Sequence, residues 1–233
     1  MRHILPKALP PKVLPRVWAA LPLAALASAC VIYTGDAPSD ASRGPDQSRD
    51  YLLSGFSKVD ASAGVNVILS QGPYAVHAQS RHGDLSNLVL EVRGDTLKVG
   101  REQQWLNWGR RPDYTVTVSA PDYQGIGASS GADVDGQGLS LRNLDVNVSS
   151  GADVDLAGSC TDLRVDVSSG ADFDGSRLQC ETASVGASSG GDADAYATRV
   201  ARGDASSGGD ITFHGRPASI SKDTSSGGSV HAL

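Results

Sequence analysis

The 233-residue sequence contains few of the side chains that build large globular cores. Aromatic residues make up only 5% of it, and there is a single Met. No apolar run reaches the ~18 residues that a membrane-spanning helix needs. Glycine, by contrast, occurs 27 times. A slender core of small and β-branched side chains therefore fits this composition better than a broad aromatic core.

Positive charge is also scarce, since 20 Lys and Arg stand against 26 Asp and Glu. Four of the basic residues precede the first acidic residue, Asp36, so the rest of the chain is more acidic than the net charge of −6 suggests. Proteins that bind nucleic acid need a basic surface. The charge balance therefore excludes nucleic acid as an expected partner.

The first 29 residues have the three parts of a secretory signal: a basic start, an apolar stretch at Val17–Leu26 and small residues before Cys30. Leu26–Cys30 resembles a bacterial lipobox, with Ala27 where Leu is commonest. We expect a signal peptide at residues 1–29 and a lipid on Cys30. Ordinary signal peptidase cleavage after Ala29 is the alternative.

Residues 30–52 are rich in Pro, Ser, Gly and Asp, which is typical of a solvated tether. Acyl chains on Cys30 would hold this tether at a membrane surface. We therefore expect an exported protein that is lipid-anchored at the bacterial outer membrane or in the periplasm.

A Ser-Ser-Gly motif recurs six times in the second half of the chain, with starts separated by 20, 19, 20, 18 and 19 residues. The copies begin at Ser129, Ser149, Ser168, Ser188, Ser206 and Ser225. Around each copy, apolar and polar residues alternate with period two, as Leu144, Val146 and Val148 do, which predicts strands. Glycine tolerates the dihedral angles of a bend between two strands.

A strand-bend-strand unit of ~19 residues cannot bury its apolar face alone, whereas stacked units bury a continuous column. The repeat therefore predicts an all-β fold, a parallel β-solenoid over residues 125–233 with turns ~4.8 Å apart. We expect a right-handed coil from the crossover rule. A meander of antiparallel hairpins is the competing architecture. Cys160 and Cys180 occupy matching positions of neighbouring repeats, which predicts a disulfide.

Residues 53–124 also alternate and are expected to form the first turns and an N-terminal β cap, because an open end would expose strand edges. Arg93-Gly94-Asp95 reads as a hairpin turn within this region.

An ordered set of features over residues 53–233 resembles the family named putative auto-transporter adhesin, head GIN domain. The features are Gly64-Val65-Asn66-Val67, Gln71-Gly72-Pro73, Asp95-Thr96-Leu97-Lys98-Val99, the Tyr114–Pro121 strand and the Ser-Ser-Gly ladder. The resemblance implies a β-helical envelope domain of bacteria with no established catalytic residues. The adhesin label is an analogy at family level.

Aspartate recurs at two outward positions of the repeat and is the most suggestive chemical feature. The columns are Asp133, Asp153, Asp172, Asp192 and Asp210, then Asp135, Asp155, Asp174 and Asp194. Like charges on neighbouring strands repel. Calcium could relieve this repulsion, but the calcium-binding nonapeptide is missing, so we expect solvated carboxylates, no metal and no cofactor. Every repeat offers the same pair, which argues against a glycosidase-like acid pair.

The remaining candidates are a Trp- and Arg-containing segment and isolated motifs. Trp105, Trp108, Arg110 and Arg111 interrupt the strand pattern, and they either contact a ligand or fold as a lid over the solenoid end. His77, His82, His214 and His231 lack metal-binding spacing. Arg202-Gly203-Asp204 spells the same tripeptide as the hairpin turn but lies in a predicted strand.

Together these features predict a non-enzymatic cell-envelope lipoprotein whose solenoid binds a glycan or an envelope protein, or has a structural role. A polysaccharide-active enzyme and a periplasmic accessory of envelope-stress signalling are the alternatives.

Overall fold

The computed structural model describes residues 46–81, 83–102 and 112–233, and within these ranges the chain forms one sheet of fifteen strands and no helix. Accordingly, no helix in the described part of the chain is long and apolar enough to cross a membrane. The strands are β1 (Gln47–Tyr51), β2 (Lys58–Ser62), β3 (Asn66–Gln71), β4 (Ala75–Arg81), β5 (Leu88–Arg93), β6 (Thr96–Arg101), β7 (Asp113–Ala120), β8 (Gly125–Ser129), β9 (Asp133–Ser149), β10 (Asp153–Ser168), β11 (Asp172–Ser188), β12 (Asp192–Ala205), β13 (Asp210–His214), β14 (Ser219–Thr224) and β15 (Ser229–Ala232).

The repeats stack as a parallel β-solenoid of about 5 turns. Strand β9 pairs with β10, β10 with β11 and β11 with β12, and every one of these pairs is parallel. Equivalent repeat positions face each other, as Leu144, Leu163 and Ala183 do across three turns. This confirms the predicted solenoid and excludes the antiparallel meander.

Each Ser-Ser-Gly motif forms a corner through two consecutive residues with positive φ. At the first corner these are Ser130 (φ 56°) and Gly131 (φ 68°). The same pair of angles recurs at the later copies, and the amide of Gly228 donates to the carbonyl of Ser225 at 2.9 Å, closing the turn. Two central residues with positive φ are the requirement of a type I′ turn, which explains the glycine.

A seventh corner of the same kind precedes the six motifs, although its sequence is Ser-Ala-Gly. Ala63 (φ 62°) and Gly64 (φ 67°) have the corner angles, and Ser62 pairs with Ser129. The Gly64 amide donates to the carbonyl of Ser130 at 3.1 Å, as the Gly131 amide does to Ser150 at 3.2 Å. Hydrogen bonds between stacked corners therefore join this copy to the ladder.

Differences in repeat length are absorbed on the side of the solenoid opposite the corners. Between β9 and β10 the register shifts by one residue between Leu156 and Gly158, and between β10 and β11 it shifts between Asp155 and Ala157. Gly158 has φ 142°, and a Cβ placed there would lie 2.0 Å from the carbonyl oxygen of Leu139. The bend thus holds two turns in such close contact that only glycine fits.

The core is a narrow column, and one of its inward rows of side chains becomes smaller toward the C-terminal end. One inward column reads Val146, Val165, Val185 and Gly203. Val230 and Phe213 occupy the space where a side chain at position 203 would point. A Cβ added to Gly203 would lie 2.9 Å from Val230 and 3.0 Å from Phe213. The two sides of the solenoid therefore close on each other near this end.

The N-terminal strands form turns whose order in space differs from their order in the chain. Strand β2 lies between β6 and β8, and β3 lies between β7 and β9, all in parallel pairs. The turn made by β2 and β3 is therefore inserted between the later turns made by β6–β7 and β8–β9. Consecutive stacking, as the repeat region shows, holds only from β8 onward.

Antiparallel strands complete the predicted N-terminal cap. Strand β4 pairs antiparallel with β7, β1 with β4, and β5 with β6, where Gly94 (φ 64°) forms the predicted hairpin turn. Strand β1 lies inside residues 30–52, so assigning all of that segment to a tether was wrong. The first four residues of β1 are polar and exposed, so the sequence has no apolar alternation that would indicate a strand. Its last residue, Tyr51, packs against the core.

The predicted disulfide links neighbouring turns. Cys160 and Cys180 are direct register partners, with their Cα atoms 4.4 Å apart and a bond between their sulfur atoms. Both side chains are buried. The bridge closes a loop of twenty residues, for which chain-entropy arguments give about 3 kcal/mol of stabilisation.

We predict that Gly158→Ala destabilises the protein far more than Gly170→Ala. Gly170 also has positive φ (64°), but no atom lies within 4 Å of the position its Cβ would take. Gly170→Ala should cost about 1 kcal/mol of backbone strain, and Gly158→Ala about 3–6 kcal/mol, because the new methyl group would overlap backbone. Urea unfolding monitored by circular dichroism measures both. Equal losses would mean that the bend is not in this close contact.

Candidate functional site

The two aspartate columns lie on the outer surface of one side of the solenoid, which we call the acidic side. Asp133, Asp153 and Asp172 are direct partners on successive strands, and the second column is aligned in the same way. Val134 and Val154 alternate with them and are buried. Parallel stacking in register therefore places carboxylates one strand spacing apart, about 4.8 Å.

Three members of the second column, Asp155, Asp174 and Asp194, have hydrogen-bonding partners among neighbouring side chains. The Arg177 guanidinium donates to both carboxylate oxygens of Asp155, at 2.8 and 2.7 Å. His214 Nε2 lies 2.7 Å from an oxygen of Asp194. Asp174 accepts hydrogen bonds from the Ser176 amide at 2.9 Å and its hydroxyl at 2.6 Å. Burial by itself would raise the pKa of Asp174, but these bonds and the charge of Arg177 outweigh it and lower the pKa.

The first column has no such compensation. In the described ranges, no Lys, Arg or His lies within ion-pair distance of Asp133, Asp153, Asp172 or Asp192, while Asp210 accepts a hydrogen bond from the Ser229 hydroxyl. Partial burial and then the charge of Asp153 raise the pKa of Asp133. The same two causes, in the same order, raise the pKa of Asp172. The sequence did not reveal this difference between the columns.

Both columns border an open groove of about 480 Å³. Besides the aspartates, Asn66, Ile68 and Thr115 from the N-terminal turns line it, and Ile68 is 43% exposed. Throughout residues 46–81, 83–102 and 112–233, no group of three or more His, Cys, Asp or Glu side chains has the geometry to hold a metal ion. The acidic side can therefore attract a cationic or hydrogen-bonding partner through solvated carboxylates.

The other long side of the solenoid carries both signs of charge in matched pairs. Lys58 lies 3.1 Å from Asp95, and Lys98 contacts Asp60. Arg202 pairs with Asp204 at 3.1 Å on the same strand. The two long sides therefore differ in electrostatic character, although they are built from the same repeat.

The other residues singled out from the sequence have mixed outcomes. Cys30 and the segment with Trp105, Trp108, Arg110 and Arg111 lie outside the described residues, as does His82. His77 Nδ1 lies 2.6 Å from Asp50 in an exposed pair.

Arg202-Gly203-Asp204 lies within β12, as predicted. The sequence analysis did not identify Arg177 and His214 as the partners of Asp155 and Asp194. Arg177 follows Asp155 by 22 residues, and His214 follows Asp194 by 20 residues. Each separation is one repeat plus a small offset, and this is the one feature of the sequence that could have indicated these contacts.

We predict that Asp153→Asn stabilises the protein at neutral pH, because it removes the charge between Asp133 and Asp172. Each neighbouring pair of charges repels by about 0.9 kcal/mol in water at this spacing, and salt reduces the repulsion. Folding raises the pKa of Asp133 and Asp172, so their charged carboxylates destabilise the folded state at neutral pH. This destabilisation decreases as the pH falls and is lost below the pKa of the same carboxyls in the unfolded chain. The increase in the free energy of unfolding caused by Asp153→Asn should therefore be largest at pH 7 in low salt and vanish below about pH 4.

Asp155→Asn is the matched control, since it removes a carboxylate that Arg177 already neutralises. It should leave stability unchanged or lower it slightly. Thermal unfolding at several pH values and salt concentrations measures both variants, and NMR titration should show the pKa of Asp133 falling in Asp153→Asn. A stabilisation of equal size in both variants would contradict the difference between the columns.

Comparisons with known proteins agree with this architecture. No curated protein matches the chain in sequence. Among solved structures, the chain is similar to a putative adhesin from Bacteroides fragilis NCTC 9343, with 18% identity over 82% of this chain and 99% of the other, at a TM-score of 0.59. This likeness shows a shared fold.

Two further structures come from Parabacteroides distasonis ATCC 8503. A putative adhesin has 14% identity over 82% of this chain and 98% of the other, with a TM-score of 0.45. A putative lipid binding protein has 16% identity over 82% and 98%, with a TM-score of 0.43. A family model matches residues 55–217, about two thirds of the chain. The chain therefore belongs to the family described as putative auto-transporter adhesin, head GIN domain.

Proposed function

We propose that this chain is an exported, lipid-anchored envelope protein whose solenoid binds a partner by surface contact and without catalysis. The observation that carries the proposal is the acidic side, where stacked strands present a column of carboxylates beside an open groove. Parallel strands hold these groups at fixed spacings, so a partner would meet an ordered surface. Membership of an adhesin-type family supports the same function.

The arrangement of the acidic side favours binding over catalysis. Catalytic acid pairs need one location where two carboxyl groups have different environments. Here the two carboxylates of the repeat recur in register on successive turns and line the outer surface as two parallel columns. A surface that repeats the same pair of groups suits contact with an extended or multivalent partner.

The anchor would present the solenoid close to the membrane by its N-terminal cap. Lipidation of Cys30 would leave the segment 31–46 before β1, which begins at Gln47. Sixteen residues can reach at most about 55 Å even at full extension. Because β1 belongs to the cap, the cap would lie nearest the membrane and both long sides would stay accessible.

The segment with Trp105, Trp108, Arg110 and Arg111 is our candidate for a second contact with a glycan or an envelope protein. It connects β6 to β7, both of which belong to the N-terminal turns. Trp and Arg are enriched among residues that dominate binding energy, and indole rings stack on sugar rings.

We predict that Cys30→Ser releases the protein from the membrane. Expressed in a bacterial host, the unaltered chain should incorporate labelled fatty acid and sediment with membranes, because acyl chains bury apolar surface in the bilayer. The Cys30→Ser chain should incorporate none and appear in the soluble fraction. Unchanged labelling and sedimentation of the variant would exclude this anchor.

We predict that Trp105→Ala combined with Trp108→Ala abolishes binding to a glycan or envelope protein identified by glycan array and pull-down. The melting temperature should change little, because the indoles would contact the partner rather than the core. Trp105→Phe with Trp108→Phe is the control and should retain part of the affinity, since an aromatic face remains. A lowered melting temperature with normal affinity would instead identify the segment as a lid.

A further inference from the structure

The two ends of the solenoid differ in whether their outermost strands are covered by other strands. Antiparallel strands β1, β4 and β5 cover the N-terminal end. At the other end, β14 pairs with β12 alone among the described strands and is exposed along its whole length. An edge of this kind has unpaired N–H and C=O groups that invite a strand of another molecule.

The inward columns change from apolar to polar on this edge strand. Gly203, which continues the column of Val165 and Val185, is followed on β14 by Lys222. Ala205, at the end of the next column, is followed by Thr224. Lys222 and Thr224 thus occupy positions that would face the core if another turn were stacked on β14, yet both are exposed.

The core is already closed beneath these two residues. Val230 and Phe213 fill the space above Gly203, and Val230 is only 8% exposed. The apolar residue left at this edge is Ile220, which is 38% exposed and continues the column of Ala201. The edge thus has hydrogen-bonding groups and one apolar side chain, and so retains an attraction for a further strand.

We infer that Lys222 and Thr224 keep this edge from pairing with the same edge of a second copy of the chain. A second copy stacked on β14 would enclose the Lys222 ammonium between the two edge strands without a counter-ion, which is unfavourable. It would also enclose the Thr224 hydroxyl. An inward charge on an edge strand prevents pairing in this way, whereas Ser221 and Asp223 point outward and would remain solvated. The inference does not depend on the proposed function.

The test compares two double variants of the exported chain, each with Cys30→Ser so that no lipid contributes. The first, Lys222→Val with Thr224→Val, continues the apolar columns. The second, Ser221→Val with Asp223→Val, adds the same side chains to the outer surface of the same strand. Sedimentation velocity over a range of concentrations measures self-association, and circular dichroism checks that each variant is folded.

We expect the inward variant to dimerise with a dissociation constant about a hundredfold or more below that of the unaltered chain, since two valines become buried on pairing. The outward variant and the unaltered chain should stay monomeric. The inference is overturned if the inward variant stays monomeric, if both variants associate alike, or if the unaltered chain already pairs through this edge. Should the inward variant not fold, Lys222→Ala, which removes only the charge, decides by the same measurement.

Discussion

The pair of positive-φ residues at each corner is the constraint on which the rest of the structure depends. Because Ser130 and Gly131 turn the chain by the same geometry as every later copy, each turn leaves its corner in the same phase. The alternation of inward and outward side chains is thereby reset once per repeat. Repeat lengths can then vary between 18 and 20 residues, because the excess is taken up at the opposite bend.

Identical phase on every turn has an electrostatic consequence. Residues of one type at one repeat position must face each other at a strand spacing, whether they attract or repel. In the second aspartate column, Arg177 forms an ion pair with Asp155, and His214 is hydrogen-bonded to Asp194. The first column has no such partners in the described ranges, and partial burial together with the charge of Asp153 raises the pKa of Asp133 and Asp172. The acidic side thus results from in-register stacking of the aspartates and from the fact that Arg177 pairs with one column and not with the other.

The same geometry makes the core narrow and its two ends different. Small side chains such as Gly203 let the two sides approach, and Val230 and Phe213 close the column near β14. The N-terminal end is closed by antiparallel strands instead, which bury Val76 and Ala78. A fold with few aromatic residues can be stable in this form because each turn buries its neighbour, with the Cys160–Cys180 bridge as an additional link.

The sequence by itself determined the solenoid, its period, its inward and outward columns and the disulfide, since all of these are local patterns repeated at a fixed spacing. It did not determine strand β1, whose polar residues carry no apolar alternation. Nor did it determine the insertion of β2 and β3 between later turns, because pairing between strands distant in the chain leaves no periodic signal. The ion pair of Asp155 with Arg177, which has no equivalent in the first aspartate column of the described residues, was also decided only by the tertiary structure. Arg177 reaches Asp155 across a turn boundary, and a side-chain contact of that kind depends on the bend between the turns, where the repeat is irregular.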